Sequence, residues 1–139
     1  MFGVDYSLSG YLRPDVGAGL NGVSVLGLAH VGDAVFELMA RTWLCMQGIS
    51  TAKRLHAGAV ALVSAEAQAA AAGRIMPHLS EEELAVFKRG RNAHVNSIPR
   101  GSTQSRYHIS TGIEALFGYL YLSGQTDRLD KLFEMIAEG

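Results

Sequence analysis

Residues 24–48 read SVLGLAHVGDAVFELMARTWLCMQG, and their spacing decides the fold class. Val25, Leu28, Val31, Val35, Leu38 and Leu44 recur near the 3.6-residue period of a helix rather than the two-residue period of a strand. Ser24 stands where an N-cap belongs, and Gly48 where a helix stops. In the middle of this apolar helix sits Gly32-Asp33. A helix-interior glycine costs about 1 kcal/mol relative to alanine. A buried carboxylate is costlier still unless it is paired or holds a cation. Two readings are open. Asp33 faces solvent while Gly32 lets another helix approach, or Asp33 is an acid kept for chemistry. Glu37 lies one turn on and one turn before Arg41, so it serves either as an ion-pair partner of Arg41 or as a second acid facing a metal.

Outward from this helix the pattern stays helical. A second helix is expected after Ser50-Thr51, through KRLHAGAVALV. A third, AEAQAAAAGRIM, is expected after Ser64 and ends near Pro77. Ser80 to Glu83 spells a capping box opening LAVFKRGRNA. Residues 93–105 (AHVNSIPRGSTQS) read as a loop. RYHISTGIEALFGYLYLSG follows as a long helix with Ile113, Leu116, Phe117 and Leu120 on one stripe, and the last helix begins at Gln125-Thr126. No strand-like alternation lasts four residues, so the chain is expected to be all-α with about six helices. Residues 1–23 carry five glycines and a proline without any period. They are expected to form a flexible N-terminal arm, with Tyr6 or Tyr11 pinned on the surface, beside one domain over 24–139.

Composition narrows the function classes. The 139 residues are 48% hydrophobic and 18% charged, which excludes wholesale disorder. With 12 Lys plus Arg against 13 Asp plus Glu, the net charge of −1 excludes a generally basic nucleic-acid coat protein but leaves room for a local basic patch. Cys45 is alone, cannot make an intrachain disulfide, and is expected in the core. No apolar run approaches the ~18 residues of a membrane span, and the N-terminus lacks the order of a secretory signal. A cytoplasmic location is expected.

Chemistry is concentrated in two places. Glu114 is a second acid inside an apolar helix, two residues after Gly112. If helices cross closely at small residues, Asp33 and Glu114 can meet. Two carboxylates at close range stay ionised together only with a cation between them, and hard oxygen ligands suit Mg²⁺ or Mn²⁺. The second place is a stretch without any acid, from Leu84 to Ile113, which holds Lys88, Arg89, Arg91, Arg100 and Arg106. Arginine is shaped for bidentate phosphate contact. With Phe87 and Tyr107 the sole aromatics nearby, the stretch suits a duplex backbone better than stacking on a single strand. A plain solvated basic surface is the other reading. His30 reads as a packing residue, and Lys53, Arg54 and His56 as additional phosphate contacts.

LAHVGDAVFEL resembles the core motif of the ribonuclease III family, and TGIEALFGYLYL its second acidic motif. The short length, together with SAEAQA, KRGRNA and LYLSGQTDRLDKLFE, resembles the Mini-ribonuclease III branch over about 24–139. The resemblance implies a homodimeric all-α endonuclease domain that cleaves double-stranded RNA with Mg²⁺, in maturation of 23S ribosomal RNA. Asp33 and Glu114 would be its metal-holding acids. Two further acids of the larger ribonuclease III enzymes fall here on Ala29 and Thr111, as small or hydroxyl residues do in the Mini branch. A catalytically inactive RNA-binding module of the same fold is the alternative.

Overall fold

In a computed structural model of the chain, which describes residues 10–93 and 104–139, the first helix runs Val25–Met46 (α1). Its start is fixed by the Ser24 hydroxyl, which accepts the Gly27 N–H at 3.0 Å. Its end is a Schellman turn: Gly48 at φ +92° donates to the Cys45 carbonyl while Ile49 donates to Leu44. Five further helices follow: α2 (Ala52–Val63), α3 (Ala65–Ile75), α4 (Glu81–Arg91), α5 (Gln104–Leu122) and α6 (Thr126–Ala137). Thr51 and Ser64 cap α2 and α3. The capping box of α4 is reciprocal, with Ser80 Oγ accepting from Glu83 N–H at 3.1 Å and Glu83 Oε1 accepting from Ser80 N–H at 2.9 Å. Helix α5 starts at Gln104, two residues inside the expected loop. The rest of that segment, His94 and Arg100 included, lies outside the described residues, as does Tyr6.

Helix α5 is central: α1, α3, α4 and α6 all pack on it, and its contact with α1 is the most extensive. The expected stripe Ile113, Leu116, Phe117 and Leu120 is fully buried there. Phe117 meets Phe36 of α1 at 5.2 Å between ring centroids, and Phe36 meets Phe133 of α6 edge-on at 5.5 Å, so three helices lock on tilted aromatics. The buried face of α1 is Leu28, Ala29, Gly32, Val35, Phe36, Ala40 and Leu44. One expectation fails here. Cys45 is exposed rather than in the core, and Leu38 on the same helix is 53% exposed. Helix α1 is apolar nearly all round, so periodicity alone does not select which face is covered. Leu44, one step of about 100° before Cys45, takes the interior place against Gly58 of α2.

Residues 10–23, expected as part of a loose arm, touch the domain at several points. A 3-10 turn spans Gly17–Gly22, Val16 N–H donates to the Leu122 carbonyl at 2.9 Å, and Leu20 and Val23 pack against Leu28, Ala29, Val86 and Ala115. Tyr11 is not pinned; it is 95% exposed. At the other end, Arg128 of α6 donates two hydrogen bonds to Glu83 (2.8 and 2.9 Å) and one to the His78 carbonyl, fastening α6 to the start of α4. The Arg128 guanidinium holds the nearly buried Glu83 carboxyl below the ordinary glutamate range. Among the described residues, no helix is long and apolar enough to cross a membrane.

Candidate active site

The Gly32 that weakens α1 locally has a packing reason. A Cβ placed on it would overlap the Glu114 carbonyl oxygen and lie 2.6 Å from the Glu114 carbonyl carbon and 2.7 Å from Gly118 N. Across the same contact, a Cβ on Gly118 would overlap the Leu28 carbonyl oxygen. Helices α1 and α5 thus cross backbone to backbone at two glycines. A second crossing on α5 uses Gly90 of α4 and Gly112, each with atoms of the other helix within 3.0 Å of an added Cβ. Gly90 and Gly118 are functional supports that the sequence pattern did not single out.

Crossing this close brings the next side chains together. Asp33 is exposed on α1, Glu114 half-buried on α5, and the two carboxyl groups are in hydrogen-bonding contact. The packing reading of Gly32-Asp33 holds, with Asp33 exposed and the glycine permitting the approach, and the same approach sets Asp33 beside the second acid. Burial, then the negative charge of Asp33 and the hydrogen bond to it, push the Glu114 carboxyl up to about 8. Glu37 does not join them; its Oε1 accepts from Arg41 at 2.7 Å, the ion-pair reading. His30 lines an apolar groove between α1 and α6 with Val31, Leu38 and Leu129. Among the described residues, no group of three or more His, Cys, Asp or Glu forms a metal cluster.

The positions Ala29 and Thr111 are both buried, and the Thr111 hydroxyl donates to the Tyr107 carbonyl at 3.1 Å. The oxygen donors at the crossing are thus the two carboxylates. This set fits a hard divalent cation, because a dication offsets both the burial and the Asp33 repulsion that otherwise disfavour the ionised Glu114 carboxyl.

A pH prediction arises from this. Without divalent cations, the folded state keeps a proton on Glu114 that the unfolded chain has released above the ordinary glutamate pKa of 4.5. Stability from this group is therefore present below 4.5 and lost as pH rises toward about 8. Thermal melts in EDTA across that window should slope downward, and Glu114→Gln should flatten the slope. Divalent-cation affinity should rise over the same window, since binding releases the proton.

Of the basic residues, Lys88 and Arg89 are exposed at the end of α4, Arg106 is exposed in the first turns of α5, and Arg91 is half-buried with its Nε donating to Asn92 Oδ1 at 3.3 Å. Lys88, Arg89 and Arg91 also sit where the helix dipole favours cations. Lys53, Arg54 and His56 of α2 include two exposed cations and an exposed imidazole.

Residues 26–125 of this all-α chain match the ribonuclease III domain. The chain belongs to that family, which makes it an endoribonuclease domain. It is similar to the Mini-ribonuclease 3 of Symbiobacterium thermophilum, 42% identical over 81% of this chain and 87% of that one. The Mini-ribonuclease 3 of Thermoanaerobacter sp. is 43% identical over 84% of this chain and 82% of its own. A crystal structure of a Fusobacterium nucleatum protein superposes with a TM-score of 0.79 at 28% identity, covering 88% of this chain and all of that one.

Proposed function

We propose that this ribonuclease III domain cleaves double-stranded RNA with Mg²⁺ bound at Asp33 and Glu114, as a cytoplasmic homodimer acting on the 23S ribosomal RNA precursor. The observation that carries the reading is the meeting of two carboxylates from two helices at a crossing that admits no side chain larger than glycine. When bound, Mg²⁺ supplies Lewis-acid polarisation of a phosphoryl oxygen and a water of lowered pKa. The protein's share is positional. Asp33 presents its carboxylate from the exposed side, where the RNA backbone can reach. Glu114, desolvated and held by the crossing, gives up its proton only when a cation takes the proton's place. The rigid backbone contact of Gly32 with Glu114 keeps the two oxygen donors in register.

Arg89 and Arg91, with Lys88, Arg100 and Arg106, are proposed to grip phosphates, a contact that reads duplex shape rather than sequence. The exposed Leu26 and Leu38 of α1, at 40% and 53%, support burial of this helix against a second copy. That pairing would set two sites across one duplex, one for each strand.

Cleavage of a long RNA duplex with Mg²⁺, with an EDTA control, tests the activity. Cutting that stops with EDTA is expected. Binding without cutting would select the inactive RNA-binding module instead. The basic surface is tested separately: Arg89→Ala with Arg91→Ala should weaken duplex binding and reduce the slope of log affinity against log salt by roughly 1 to 2. An unchanged slope would move the RNA grip elsewhere.

A further inference from the structure

Within α5, one hydroxyl behaves unlike its neighbours. Thr111 Oγ1 donates to the carbonyl four residues back, as do Thr42 in α1 and Ser123 in the turn after α5. Ser110 Oγ is buried and has no hydrogen-bond partner. A buried hydroxyl left unpaired is a net loss to the fold, and the back-bond that would satisfy it is the default for serine in a helix. Ser110 forgoes that bond exactly one turn before Glu114.

Position explains what the hydroxyl is for. Residues four apart share a helix face, with Cβ atoms about 5–6 Å apart. Long helical side chains lean toward the N-terminus, over the preceding turn. Ser110 and Glu114 thus share a face of α5, and a helical glutamate tends to lean toward the turn that holds Ser110. The carboxylate pair offers few protein oxygens, and no third acid or histidine among the described residues completes a cluster. Mg²⁺ in such a site keeps several of its waters, and those waters need acceptors and donors around them.

We propose that Ser110 is a positioning residue of the cation site: its hydroxyl holds a water of the hydration shell of the ion bound at Asp33 and Glu114. This rests on the carboxylate pair being the cation site. Ser110 touches neither the ion nor the phosphate, and acts through the water and through the orientation of Glu114.

The test is Mn²⁺ binding, measured by calorimetry without RNA on the wild type, Ser110→Ala, Ser110→Thr and Asp33→Asn. Ser110→Ala should bind Mn²⁺ about tenfold more weakly. Its cation-free melting temperature should hold or rise, because the alanine removes an unpaired hydroxyl and breaks no bond. Ser110→Thr, which keeps the hydroxyl, should bind close to wild type. If Ser110→Ala binds Mn²⁺ like wild type while Asp33→Asn does not, the role of Ser110 is overturned and the carboxylate site stands. A cation-free Ser110→Ala protein that melts well below the wild type would make the hydroxyl a structural group and overturn the role as well. If Asp33→Asn binds Mn²⁺ like wild type, the carboxylate site itself falls, and the role of Ser110 with it.

Discussion

Asp33→Asn should abolish RNA cleavage, and Glu114→Gln should do the same, while each variant should fold at least as stably as the parent. Both substitutions keep shape and remove a negative oxygen, so a loss on the order of 10³-fold or more is expected if the two acids hold the cation that stabilises developing charge. The stability half of the expectation follows from the state of the pair. With no cation present, Glu114 carries a proton up to about pH 8, because burial and the adjacent Asp33 charge disfavour its ionised form. Glutamine mimics that protonated carboxyl without the cost of holding a proton that the unfolded chain releases above 4.5, so the cation-free fold at neutral pH should be at least as stable with it. Asparagine at the exposed position 33 keeps a hydrogen-bonding group opposite Glu114 and removes the like charge. Cleavage assays with Mg²⁺ beside thermal melts in EDTA check both halves. Full activity in either variant would sink the site assignment, and a collapsed melt would mean that the carboxylates support the fold instead.

Much of this arrangement was legible because its determinants are local. Ser24, Thr51, Ser64 and the Ser80–Glu83 box each announce a helix start within four residues, and each makes the expected bond. Asp33 and Glu114 stood out because charge inside an apolar helix demands a reason. What stayed hidden depends on pairings distant along the chain. Arg128 and Glu83 are 45 residues apart, and nothing in either segment names the other. Cys45 is exposed against expectation because an apolar helix with little polar surface does not declare its buried side. Gly90 and Gly118 have the same difficulty: a glycine in a helix reads as a defect until the backbone it touches is known. The unpaired hydroxyl of Ser110 has no sequence signal, since Ser110 and Thr111 differ little as letters and entirely in what their oxygens do.

Gly118→Ala, with Gly32→Ala, should be the most damaging of the glycine-to-alanine changes among the described residues. The obstruction is the Leu28 carbonyl, with Gly32 N also 3.1 Å from the new Cβ, so the neighbour that must yield is backbone rather than a side chain that can rotate. Overpacking a core position commonly costs about 1–3 kcal/mol; a clash with helical backbone should exceed about 3 kcal/mol, because α1 and α5 must separate along their whole contact. Gly32→Ala, which meets the Glu114 carbonyl, should behave alike. The contrast is Gly73 in α3, where an added Cβ finds nothing within 4 Å. There alanine should stabilise by about 0.5–1 kcal/mol through its helix propensity. Denaturant unfolding of the three variants measures all of this. Function should follow stability for a geometric reason: spreading the crossing moves Glu114 away from Asp33, so any folded fraction of Gly118→Ala should bind Mn²⁺ weakly. Its downward pH slope should also shrink, since a spread crossing lets water reach Glu114 and moves the Asp33 charge away. A Gly118→Ala protein that melts with the parent and keeps its Mn²⁺ affinity would show that the two helices do not meet backbone to backbone, and that the carboxylates are brought together by something other than the missing side chains between them.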